Sequence, residues 1–147
     1  MANYNNADGF KPISFPARAN KYTTSAAVTK GDAVAIVSGK VLPFADGTHT
    51  AVIGVAAESA SAADAEIMVF DDPNTVFYGQ TAGSYAPTSH DGVAYSLDGA
   101  TGAQAIDQSD TSGACCTILG HYPVSGSTET GNYARVKVVF TAHVALG

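Results

Sequence analysis

Thr29-Lys30-Gly31-Asp32-Ala33-Val34-Ala35-Ile36-Val37-Ser38-Gly39-Lys40-Val41-Leu42-Pro43, followed after a polar loop by Thr50-Ala51-Val52-Ile53-Gly54-Val55-Ala56-Ala57, decides the fold class. It reads as three short strands. Gly31-Asp32 opens the first, Ser38-Gly39 supplies a tight hairpin turn that tolerates positive φ, and Asp46-Gly47-Thr48 leads into the third. Short β-branched runs punctuated by Gly, Asp and Ser have no helical period, so this part of the chain is β.

The same grammar continues downstream. Glu66 to Phe70 reads as a strand, Asp71-Asp72-Pro73-Asn74 as a turn and Thr75 to Gln80 as a strand, a second hairpin. Val93 to Leu97, Gly102 to Asp107 and Ala114 to Tyr122 follow as strands. Ala57 to Ala65 is rich in small residues and reads as loop, with room for a helical turn. The clearest alternation comes last: Val136, Val138, Phe140, Ala142 and Val144 alternate with Arg135, Lys137, Val139, Thr141 and His143, a long strand over Tyr133 to Val144 with one buried face. Eight or nine strands at near-regular spacing predict an all-β single domain, a β-barrel or β-sandwich with little helix. No internal repeat stands out.

At 147 residues the chain has the length of one domain with a real core. It is 46% hydrophobic and 14% charged, against about 25% charged in an ordinary soluble domain, so Gly, Ala, Ser and Thr cover much of the surface. Such a surface suits contact with other proteins. The net charge of −6 is uneven: Lys11, Arg18 and Lys21 against Asp8 give residues 1–22 a charge of +2, and four basic against twelve acidic side chains leave the rest at −8. An acidic body argues against nucleic acid as a partner, because phosphate contacts need clustered Lys and Arg.

No apolar run approaches the roughly 20 residues that span a bilayer, and Met1 to Asp8 lacks the pattern of a secretion signal. The reading is therefore no membrane partner and synthesis in the cytoplasm. Cys115 and Cys116 are adjacent, which ordinary disulfide geometry excludes, and they read as strand residues with one facing the core.

Residues 1–22 read as an extended N-terminal arm ahead of a β-rich domain over 23–147. Pro12 and Pro16 remove backbone donors, while Phe10, Ile13 and Phe15 are large apolar side chains that need cover. Phe10, Lys11, Pro12, Ile13, Phe15, Arg18 and Lys21 are thus the candidate contacts to a partner surface. Thr81 to Gly92 is a long polar loop, and Tyr78, Tyr85, His90 and Asp91 could stack on and hydrogen-bond a sugar there.

Enzyme signatures are absent: no phosphate-binding glycine motif, no Gly-x-Ser-x-Gly elbow and no short-spaced metal ligands. His49, His90, His121 and His143 are scattered, and Asp71-Asp72-Pro73-Asn74 reads as a turn rather than a calcium loop, which would need further ligands at fixed offsets. The expectation is no catalytic residue, no metal and no cofactor.

Three stretches, Asn5-Asn6-Ala7-Asp8-Gly9-Phe10-Lys11-Pro12, Lys30-Gly31-Asp32 through Ile53-Gly54-Val55-Ala56, and Asp71-Asp72-Pro73-Asn74-Thr75-Val76-Phe77, resemble the capsid decoration, or cement, proteins of tailed bacteriophages. They span about half the chain, and nothing after Gly79 takes part. The resemblance implies a non-enzymatic virion structural protein on the outer capsid surface. It further implies a β-barrel or sandwich body that forms a homotrimer, an arm on the major capsid protein, and stabilisation of the icosahedral shell. The alternative is an exposed adhesion or carbohydrate-binding module of the head-fibre kind.

Overall fold

The computed structural model describes residues 7–13, 18–49, 51–123 and 130–140. Phe15, His143 and the last part of the expected C-terminal strand, 141–144, lie outside them. The first half of the chain forms β1 (Lys11–Pro12), β2 (Asn20–Thr23), β3 (Ala33–Val37), β4 (Lys40–Pro43), β5 (Gly54–Ala56) and β6 (Glu66–Phe70). The second forms β7 (Phe77–Gln80), β8 (Ser84–Tyr85), a one-turn helix α1 (Pro87–His90), β9 (Ala94–Asp98), β10 (Ala105–Asp107), β11 (Cys116–His121), β12 (Gly131–Asn132) and β13 (Arg135–Phe140). With 46% strand and 3% helix the protein is all-β.

Two sheets carry the architecture, each antiparallel between neighbours. The first runs β2-β6-β5-β3-β4. Its outer strands meet again: Thr24 and Val41 form a parallel bridge in which the Ser25 N–H donates to the Val41 carbonyl at 2.8 Å, so the sheet closes as a five-stranded barrel. The second runs β7-β13-β11-β9-β10, with β1 added outside β7, and closes the same way through a parallel Thr81–Ile106 bridge and an Ala82 N–H to Ile106 carbonyl bond of 2.8 Å. β8 and β12 form a separate short ribbon.

The two barrels have one topology. Numbered by order in each, both run first, fifth, fourth, second, third, and the correspondence extends to single bonds. Thr24 N–H to Ala65 O (2.8 Å) matches Thr81 N–H to Ala134 O (2.9 Å). The pairing of Ile36 with Val41 matches that of Leu97 with Ile106. The chain is thus an internal structural duplication, which the sequence reading missed. What repeats is the inward-facing set, Val34, Ile36, Val41, Ile67 and Val69 against Tyr95, Leu97, Ile106, Val136 and Val138, where only apolarity has to persist.

This topology also corrects the expected second hairpin. β6 pairs with β2 and β5, whereas β7 pairs with β1 and β13, so Asp71 to Asn74 turns the chain from one barrel into the other. The first hairpin is as read: Ser38 (φ 51°) and Gly39 (φ 79°) both take the positive φ of a type I′ turn. Gly54 is fixed by packing, since a Cβ there would lie 2.1 Å from the Phe70 carbonyl oxygen. Ala57 to Ala65 is loop, with Ala60 bridged to Val28.

The first barrel encloses Val28, Val34, Val41, Ile53, Ala56, Ile67 and Val69. The interior of the second is continuous with a seam against the first, where Phe10, Ala33, Phe44, Val52 and Val55 meet Phe77, Cys115 and Phe140. Buried polar groups tie the seam. Gln104 (1% exposed) accepts from the Ala33 N–H at 2.7 Å and donates to the carbonyls of Ala33 and Phe44 at 3.2 and 3.3 Å. Asp32, fully buried, accepts from the N–H groups of Thr29 (2.9 Å) and Gly102 (2.8 Å) and from the Thr101 hydroxyl. A two-barrel body with its polar interior satisfied in this way is rigid.

Candidate functional site

The residues read from the sequence as an arm divide sharply. Phe10 is 1% exposed and edge-to-face on Phe140, with centroids 5.2 Å apart. Its backbone N–H donates to Gly31 O at 2.7 Å, and its ring lies against Gly79, where a Cβ would come within 2.7 Å. Phe10 is therefore core and not a partner contact: its apolar ring finds cover in the seam of its own molecule. Pro12 and Ile13 are half-buried, with Ile13 N–H donating to Val76 O at 3.0 Å. Asn20 to Tyr22, expected in the arm, belong to β2 inside the first barrel.

Arg18 is engaged at the turn between the barrels. Its Nε donates to Asp71 Oδ1 at 2.8 Å and a terminal nitrogen to the Asp71 carbonyl at 2.7 Å. Asn20 donates to both carboxylate oxygens, and the Tyr22 hydroxyl donates to Oδ2 at 2.5 Å. Burial alone would raise the Asp71 pKa, but the bonds from Tyr22, Asn20 and Arg18 outweigh it and hold the carboxyl below its ordinary value. Burial and the bond to Asp71 push Tyr22 up to about 12. Asp72 makes the turn itself, accepting from the Asn74 N–H at 2.9 Å.

The loop residues divide as well. Tyr85 is 1% exposed and gives its hydroxyl to Asp91 at 2.5 Å. His90 Nδ1 accepts from the Ala86 N–H at 2.9 Å, and its ring packs between Tyr85 and Tyr95, with both centroids 5.9 Å away. These three residues cap one side of the second barrel and leave no tyrosine face there for a sugar, which corrects the expected four-residue platform. The loop holds β8 and α1 instead of running free.

Tyr78 stands elsewhere, in an exposed arrangement of its own. Strand register sets Lys11 on β1, Tyr78 on β7 and Lys137 on β13 directly opposite one another in one outward-facing row. Tyr122 stacks on Tyr78 at 4.4 Å and 17°, and the Lys11 ammonium lies 5.9 Å from the Tyr78 ring centre while bonding Asp8 at 2.5 Å. Gly120 ends the row, so no side chain covers Lys137 from β11. Lys137 and Tyr122 escaped the sequence reading. Alternation says that Lys137 points outward, but only the β1–β7–β13 register says what stands beside it.

A second, oppositely charged feature lies on β9, β10 and the loop after them. Asp98, Asp107 and Gln108 line a cleft of about 470 Å³ with His90 and Ser109, while Asp98 and Asp46 line one of about 680 Å³ between the barrels. The Ser96 hydroxyl donates to Asp46 at 2.8 Å; that bond and a contact with Asp110 hold the Asp46 carboxyl below its ordinary value. Among the described residues no group of three or more His, Cys, Asp or Glu is arranged to hold a metal ion, and no helix is long and apolar enough to cross a membrane. The arrangement offers surfaces for recognition through charge and aromatic contact. Neither a protein family model, nor a curated protein, nor a solved structure matches the chain.

Proposed function

We propose that the protein is a non-enzymatic virion structural protein that decorates and stabilises an icosahedral phage capsid by binding the major capsid protein, acting as a trimer. The observation that carries this reading is the use to which the buried polar side chains are put. Asp32, Asp71 and Gln104 hold the two barrels and their connection together, which is what a mechanical clamp needs, and recognition is left to the surface. Of the residues expected to touch a partner, Lys21 on β2 and the exposed half of Arg18 face solvent from the first barrel, and the shell contact is assigned to that side.

The test is sedimentation of purified protein with empty, expanded capsid shells lacking decoration. Saturable binding that raises the temperature at which the shells disassemble is expected, and Lys21→Glu should weaken it by about tenfold, the loss of one interfacial charge contact. Folded protein that stays in the supernatant at every concentration sinks the reading.

A further inference from the structure

The second barrel is electrically two-sided. In its closed order β7-β13-β11-β9-β10, the strand farthest from the β9–β10 pair is β13. β13 and its neighbours carry the row of Lys11, Tyr78 and Lys137 with Tyr122 stacked on it, and Asp8 offsets Lys11 alone. The β9–β10 side carries Asp98 and Asp107, with Asp110 in the following loop and Asp46 reaching in from the first barrel. Asp98 is exposed and stands between the two clefts, so it forms an acidic ridge with a hollow on either side.

We propose that the Lys11–Tyr78–Lys137 face of one molecule docks on the Asp98–Asp107 ridge of a second copy of the same chain. Charge complementarity selects that occupant: a chain with net charge −6 presents its cationic row opposite its own anionic ridge, and the hollows beside Asp98 give the Tyr78–Tyr122 pair a place to settle. Because the two faces lie on opposite sides of one barrel, the contact is head-to-tail. Such a contact propagates until it closes, so a ring forms if the rotation between neighbours divides the circle. For its biological purpose this rests on the decoration reading, since a closed ring is what a trimeric cap requires, but its physics does not depend on a capsid.

The experiment is sedimentation velocity of the full chain across protein concentration, at about 10 mM and about 0.5 M salt, where the Debye length falls from roughly 30 Å to under 5 Å. Self-association at low salt that weakens at least tenfold at high salt is expected. Lys11→Glu with Lys137→Glu, and separately Asp98→Lys with Asp107→Lys, should each abolish it, and an equimolar mixture of the two variants should restore a hetero-dimer limited to one contact. Circular dichroism and thermal melts confirm that each variant is folded. The second pair, at exposed loop-proximal sites, serves if the first fails to fold. A monomer at low salt, or association that both charge-reversed variants retain, overturns the proposal. Shell binding is scored separately: a variant that still binds shells but no longer self-associates leaves the decoration reading standing, whereas self-association without shell binding removes only that reading.

Discussion

At the scale of single residues, the turn between the barrels is the most concentrated device. Asp71 accepts four side-chain hydrogen bonds from three residues of the preceding segment, one of them also a salt bridge. Asp71→Asn keeps the shape and removes the charge, and it should destabilise the fold by about 2 kcal/mol, the range for bonds to a charged group. The sign with pH follows from the depressed carboxyl. Its contribution is full above the ordinary carboxylate value of 3.8 and is lost as pH falls through the lower folded value. The gap between the parent and Asp71→Asn, measured by urea denaturation, should therefore close in acid. Tyr22 works from the other end: its raised pKa stabilises the fold fully below 10 and ceases to as pH rises through about 12. A gap that is unchanged in acid would show that Asp71 is not ionised in the folded state.

At the scale of elements, the strands themselves were legible and their partners were not. Alternation in Arg135 to Phe140 and the Ser38-Gly39 turn are local facts, and both stand in the structure as read. The Phe10 ring needs Phe140, 130 positions away, and the Gln104 amide needs Ala33, 71 away. Nothing near either residue in the chain announces its partner. Proline at positions 12 and 16 made the first segment look like a free arm, but Pro12 sits on a sheet edge, where a missing N–H costs nothing. Phe10→Ala should destabilise by about 3–5 kcal/mol, as for a buried aromatic, and release β1 from β7. Hydrogen exchange would then quicken along β7, and unchanged protection there would mean that β1 is held without its anchor.

At the scale of the whole molecule, the continuous seam makes two barrels unfold as one. Cys115 lies in the seam and Cys116 beside it, both fully buried. The bond from Cys115, together with burial, pushes the Cys116 thiol well above its ordinary value. A thiol reagent should therefore modify neither cysteine until the denaturant transition itself, with circular dichroism and thiol labelling giving coincident midpoints. Labelling that precedes the loss of strand signal would show the barrels parting first.

The closing bridges Thr24–Val41 and Thr81–Ile106 also decide how the protein behaves when crowded. A sheet closed on itself offers no unpaired row of N–H and C=O groups for a neighbouring chain to extend, and the remaining border, β1, consists of a lysine and a proline, the two residues least able to template a new strand. Fibrillar aggregation through backbone pairing is therefore blocked along both main sheets, and molecules can be packed closely while meeting one another only through side chains.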